Sequence, residues 1–295
     1  VPGTPKHWRV NAGNKTMPRF PNWAKWATFG FATQHFATIT MRKKIVAGNW
    51  KMNLTKDEGT ALVSEVVNMV ADEVNSQVTV VLCPPFPFLG FVGRLLQSQK
   101  NVFLAAQNCS HKLSGAYTGE VSAPMLKSFG VAHVILGHSE RREYFQEDNA
   151  LLAQKLDIVL AQGLTPIFCC GESLQMRQGG DYLGFVRQQL TEGLFHLSAE
   201  QLAQVVLAYE PIWAIGTGLT ASAEQAQEMH ASLRQHLAGQ YGQALADQVP
   251  ILYGGSVNAK NAASLFACPD VDGGLVGGAS LKSREFADIA KSMPA

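Results

Sequence analysis

From Lys44 onward the chain alternates short, β-branched apolar runs with longer segments of helical spacing, and it does so eight times. The runs are KIVAGN (44–49), VTVVLC (78–83), VFLAAQ (102–107), VAHVILG (131–137), TPIFCC (165–170), VVLAYE (205–210), ILYGG (251–255) and DGGLVG (272–277). Between them lie stretches such as KDEGTALVSEVVNMVADEV (56–74) and SAEQAQEMHASLRQHLAGQ (222–240). Strands that are apolar on successive residues are buried on both faces, which a parallel sheet covered by helices provides. An open doubly wound sheet shares this periodicity. Eight units in a span close to the ~250 residues of one (β/α)8 barrel, with polar residues clustered just after the strand ends, favour the closed form. The expected fold class is therefore α/β, a single (β/α)8 barrel spanning 41–295.

Residues 1–40 read differently. They hold three of the five tryptophans and five basic groups (Lys6, Arg9, Lys15, Arg19, Lys25), with no Asp or Glu and no sustained periodicity. They are expected to be a basic N-terminal extension, either disordered or not part of the mature protein. Three readings of it stay open: translated upstream sequence before Met41, an organellar targeting peptide, or a binding appendage. Without it, 19 Lys and Arg face 23 Asp and Glu in residues 41–295, a formal charge of −4. Such a balance argues against nucleic acid, whose binding requires a net positive surface. No apolar run is long enough to cross a bilayer, so a soluble protein with no membrane partner is expected. Five cysteines (Cys83, Cys109, Cys169, Cys170, Cys268) without a C-x-x-C pair suggest reduced thiols in the cytoplasm. No histidine spacing matches a metal site, so neither metal nor cofactor is expected.

The chemistry sits after the strand ends. AGNWKMN places Asn49 and Lys51 at the end of the first strand, although a lysine there is commonly a solvated loop charge. GHSERR places His138 between the fourth strand and a helical segment, where a helix N-terminus disfavours a second proton. A neutral imidazole there donates to a substrate carbonyl, and a capping or buried histidine is the plain alternative. YEPIWAIGTG places Glu210 at the end of the sixth strand. Burial under apolar residues would raise its pKa toward that of a general base. Pro211 stiffens the start of the next loop while Gly216 and Gly218 free its far end, as a hinged flap requires. A rigid surface loop is the competing reading. YGGSV and VGGAS supply backbone N–H groups at Ser256, Gly277 and Gly278 that can approach a phosphate, in the two loops where barrels often bind one. Gly216–Ala221 also matches the dinucleotide fingerprint G-x-G-x-x-[G/A], but it lies late in the chain and 234–242 holds no Asp or Glu, so it is discounted.

Taken in order, GNWKMN, QNCSHKLSGAYTGE, GHSERR, CCGE, YEPIWAIGTG, YGGSVN and VGGASL resemble the triosephosphate isomerase family across residues 41–295. The resemblance implies interconversion of dihydroxyacetone phosphate and D-glyceraldehyde 3-phosphate through an enediolate, in glycolysis and gluconeogenesis, without metal or cofactor. It implies Glu210 as the base, His138 polarising the carbonyl, Asn49 and Lys51 holding substrate and enediolate, and Gly216, Ser256, Gly277 and Gly278 binding the phosphate. A glutamate base, a neutral histidine and a water-excluding loop are known features of this family. It further implies a homodimer formed through loop 108–120, with Thr118 near the partner's active site. The main departure is Cys170, where the family more often has isoleucine. Two rival functions are a different phosphate-binding barrel enzyme and a catalytically silent barrel. The first, as a metal-dependent epimerase, lacks its His and Asp ligands. The second would be expected to have lost one of Lys51, His138 and Glu210.

Overall fold

In the first strand Ile45 and Ala47 point to one side and Val46 to the other, and the same alternation recurs around the sheet. Ile167 and Cys169 oppose Phe168 and Cys170, and Val206 and Ala208 oppose Leu207 and Tyr209. Two separate buried clusters result. One fills the space enclosed by the strands, and the larger one lies between strands and helices. An open sheet has no enclosed cluster, so this division reflects closure.

The computed structural model describes Gly3 and residues 42–294. The expectation of a disordered stretch at 1–40 thus lies outside the described residues, Gly3 excepted. The eight strands are β1 (Lys44–Asn49), β2 (Val78–Cys83), β3 (Val102–Ala106), β4 (His133–Leu136), β5 (Thr165–Glu172), β6 (Val206–Pro211), β7 (Ile251–Tyr253) and β8 (Gly273–Val276). Each pairs in parallel with its sequence neighbour, and β8 closes onto β1 through Ile45 opposite Gly273. The expected barrel is what forms.

Local sequence explains where the helices begin. Thr55 and Glu58 form a capping box, with the Thr55 backbone N–H donating to Glu58 Oε2 at 2.7 Å, and helix Lys56–Glu73 starts there. It buries Gly59, Leu62, Val63, Val66 and Val70, the inward stripe of a surface helix. Ser222 and Gln225 repeat the device for helix Ala223–Tyr241, which ends at Gly242 with φ of 86°.

β4 is three residues shorter than its expected run, and β5 runs on to Glu172 and not to Cys170. Gly171 and Glu172 continue the ladder opposite Glu210 and Pro211. Gln189, from helix Tyr182–Leu194, holds the extension: its Oε1 accepts from the Gly171 N–H and its Nε2 donates to the Gly171 carbonyl, both at 2.9 Å. A Cβ at position 171 would run into the Glu210 carbonyl, so only glycine fits beside the base. All five cysteines are free, and burial pushes Cys109 and Cys170 up to about 12, so these two thiols pack and do not react near neutral pH. Among the described residues no helix is long and apolar enough to cross a membrane.

Candidate active site

β1 delivers Asn49 as its last residue, and the chain then turns sharply. Lys51 has φ of 54°, a conformation that non-glycine residues adopt at a cost of ~1–3 kcal/mol. Three contacts hold it there. The Lys51 N–H donates to Asn49 Oδ1 at 3.0 Å. Gln107 Nε2 donates to the Lys51 carbonyl at 2.9 Å and to the Cys83 carbonyl at 2.8 Å. The Lys51 ammonium meets Glu140 Oε1 at 2.6 Å.

After β4, His138 is the N-cap of helix Ser139–Tyr144, and its Nδ1 accepts from the Glu140 N–H at 3.2 Å. The plain reading of this residue is met, since it is buried and caps a helix, and its other nitrogen faces Glu210. With Nδ1 accepting, the single ring proton lies on Nε2, 2.9 Å from Glu210 Oε1. Burial works to lower the ring's pKa, but the charge and hydrogen bond of Glu210 prevail, and the net shift is upward from 6.5. This departs from the neutral, depressed histidine expected from the helix terminus alone. The physical reason is the carboxylate in contact, because the Glu140 N–H still opposes a second proton.

Glu210 is 1% exposed. Its Oε2 accepts from the Ser139 N–H at 2.8 Å, so the carboxylate is docked on the same helix end as His138. A cleft of about 410 Å³ opens beside it, lined by Asn49, Lys51, His138, Gly216, Ser256, Gly277 and Gly278 among others. The structure thus brings seven of the eight candidate residues to one cleft. Glu210 is the exception, since it lies behind the wall, against His138 and beneath Gly254.

The segment expected to act as a flap begins at Pro211, passes through the turn Ile212–Ala214, and brings Ile215 and Gly216 to the cleft wall. Gly216 and Gly218 have φ of 69° and 82°, which a side chain would resist. The root of the flap is tied down by one buried carboxylate. Glu172 Oε1 accepts from Tyr209 Oη at 3.0 Å, Trp213 Nε1 at 2.9 Å and Arg177 at 3.0 Å. Glu172 Oε2 and Tyr253 Oη are buried without a partner.

Sequence reasoning gave no role to Gln107, Ser139, Glu140 or Glu172. Two signals were available: GHSERR and CCGE each carry a carboxylate at or close behind the end of a strand, where polar groups accumulate in barrels. Gln107 sits at the end of an apolar run, and nothing local distinguishes it. No group of three His, Cys, Asp or Glu side chains among the described residues is arranged to hold a metal.

Comparison with known proteins places this site in context. The sequence profile described as triosephosphate isomerase matches residues 44–293. The chain is similar to a triosephosphate isomerase of Cytophaga hutchinsonii, 62% identical over 252 residues, covering 85% of this chain and 100% of that protein. It is similar also to one of Bacteroides fragilis, 53% identical over 84% of this chain and 98% of the relative. A third, of Flavobacterium johnsoniae, is 47% identical over 86% and 100% respectively.

Proposed function

Because this chain belongs to the triosephosphate isomerase family and interconverts dihydroxyacetone phosphate and D-glyceraldehyde 3-phosphate, a reaction of glycolysis, we propose a role in that reaction for each residue of the cleft. Glu210 is the base that carries the proton between the two carbons. His138 Nε2–H and the Lys51 ammonium stabilise the oxyanion of the enediolate. Asn49 orients Lys51, and Gly216, Ser256, Gly277 and Gly278 receive the phosphate on their backbone N–H groups. No metal or cofactor enters the reaction.

The observation that carries this reading is the 2.9 Å contact of His138 Nε2 with Glu210. The proton on Nε2 now serves the carboxylate. When Glu210 swings from Ser139 to the substrate carbon, that proton is released to the substrate oxygen, so one movement arms both groups. A general base contributes ~10²–10⁴-fold, about 3–5 kcal/mol. Each preorganised donor in a dry site adds roughly 2.7–4 kcal/mol, which is why the base needs His138 and Lys51 beside it. The Pro211–Gly218 flap excludes water and retains the enediolate.

Residues 41–295 form the isomerase domain in this reading, with 1–40 an extension outside it. The match of the Cytophaga relative over its whole length, using 85% of this chain, supports that division. We further propose a cytoplasmic homodimer joined through loop 108–120. Met52, Leu113, Tyr117, Tyr144 and Phe145 are large apolar side chains left exposed in the segments after β1, β3 and β4, as a surface awaiting a partner would be. Sedimentation of the intact protein tests this, with a species of twice the chain mass expected.

The deciding experiment for the site is Glu210→Gln in a coupled assay with D-glyceraldehyde 3-phosphate. A loss of at least ~10²-fold in kcat with unchanged folding is expected. Near-normal turnover would remove Glu210 from the mechanism.

A further inference from the structure

Lys282 carries the wrong charge for its place in the fold. It is the N-cap residue of helix Ser283–Lys291, with φ of −120°, ψ of 108° and no side-chain capping bond. The start of a helix bears partial positive charge, and lysine is not among the side chains that cap it, so this residue opposes the helix that it begins. Its ammonium has one carboxylate in reach, Glu285 Oε2 at 3.4 Å, and its side chain is 75% exposed. Stability does not account for a lysine here.

Its surroundings do. Lys282 lines the substrate cleft on the side of Ser256, Gly277 and Gly278. It also lines a shallower hollow of about 530 Å³ shared with Asn258, Lys260, Arg284, Glu285 and Asp288, and Glu285 lines the cleft as well. Arg284 is committed to Glu73 and Asp288, both at 2.6 Å. Lys260 is exposed and has no carboxylate within salt-bridge distance among the described residues. Inside the cleft, the charge of Lys51 is already opposed by Glu140. The substrate, meanwhile, is an anion approaching a barrel region whose residues 41–295 carry a formal charge of −4, within a chain of +1 overall. Local positive potential at the mouth must overcome that repulsion, and charges lining a cleft raise association rates by ~10–10³-fold.

We propose that Lys282, with Lys260 outside it, forms a cationic rim at the phosphate end of the cleft that captures the triose phosphate and passes it to the backbone amides. Neither lysine touches the reacting carbons, so both govern capture and not chemistry. The inference rests on the reading of this cleft as the triose phosphate site.

The test measures kcat and kcat/KM for the parent, Lys282→Met, Lys260→Met and the double variant as ionic strength is raised, with unphosphorylated D-glyceraldehyde as the control substrate. At low salt the double variant is expected to lose about 10-fold in kcat/KM with kcat unchanged, and the gap is expected to close toward 1 M salt, where the Debye length is about 3 Å. Turnover of D-glyceraldehyde is expected to be unaffected, Lys282→Arg is expected to restore capture, and Lys282→Met is expected to melt no lower than the parent. A double variant within about twofold of the parent at low salt, or an equal loss on D-glyceraldehyde, overturns the rim while leaving the site intact. A parent that does not turn over triose phosphate overturns the site reading and the rim together.

Discussion

At the N-terminal end of the strands, Arg234 donates to Asp270 Oδ1 at 2.6 Å, Asp272 Oδ2 at 2.8 Å, and the carbonyls of Ala246, Val249 and Asp270 at 2.7, 2.9 and 3.2 Å. Five bonds use the full donor capacity of a guanidinium. Asp272 also accepts from Arg42 and from the Ile251 N–H, so the network stitches β7 to the segments that enter β1 and β8. At the C-terminal end, several buried polar groups are left incomplete. Glu172 Oε2 and Tyr253 Oη lack partners, Lys51 holds a left-handed backbone, and Glu210 is docked on groups that the proposed mechanism needs elsewhere. The contrast shows how one barrel divides its labour. The saturated Arg234 guanidinium ties the strand entries together at one end, where His133 Nδ1 and His230 Nε2 still lack partners, and strain joins spare bonding capacity at the other.

The contrast can be broken most severely at the frame. Arg234→Leu takes from half-buried Asp270 its salt-bridge partner and leaves buried Asp272 only Arg42, and it is expected to destabilise the protein by ~3–5 kcal/mol, with kcat of the folded fraction close to the parent value. Denaturant unfolding and an assay at low temperature check both halves, and a stable but inactive variant would contradict the division. Lys51→Gly tests the opposite end. Removing the ammonium is expected to lower kcat/KM by ~10²–10³-fold, while glycine relieves the left-handed backbone and raises stability by up to ~1 kcal/mol. A drop in thermal midpoint would show that Lys51 is not strained.

Smaller effects sharpen the comparison. The His138 pKa is raised in the folded protein, so the His138–Glu210 contact contributes stability that is fully present below the ordinary value of 6.5 and is lost as pH rises through the raised one. Glu210→Gln is expected to abolish that pH dependence, because burial and the Glu140 N–H then favour the neutral ring. Ring titration by NMR should show the His138 midpoint above 6.5 in the parent and below it in the variant. Tyr253→Phe removes a hydroxyl that has no partner in this arrangement, and a stability change within about 0.5 kcal/mol is expected. If kcat falls in that variant, the hydroxyl is used only when the flap moves. Rapid-mixing kinetics with Trp213 fluorescence would show it.

Much of this was legible from the chain alone. Alternation of β-branched runs with amphipathic segments gave eight strands in the right places, because burial on both faces leaves a continuous apolar signature. Thr55 with Glu58 and Ser222 with Gln225 begin helices through bonds that span three residues, and such bonds are written locally. The position of each functional residue after a strand was equally visible. The partners were not. Gln107 reaches Lys51 across 56 positions and Ser139 meets Glu210 across 71, and no local pattern encodes a contact of that span.

The sequence by itself determined the barrel, the strand that carries each chemical group, and the family to which the chain belongs, since all of these follow from periodicity and from contiguous motifs. The tertiary structure decided the state of those groups. It docked Glu210 on Ser139, put the His138 proton on Nε2, raised that ring's affinity for a proton where the isolated helix end would lower it, and set Lys282 against its own helix. Each of these depends on charges and backbone dipoles brought within a few ångströms by folding, and electrostatic interactions at that range are fixed by position in space and not by order along the chain.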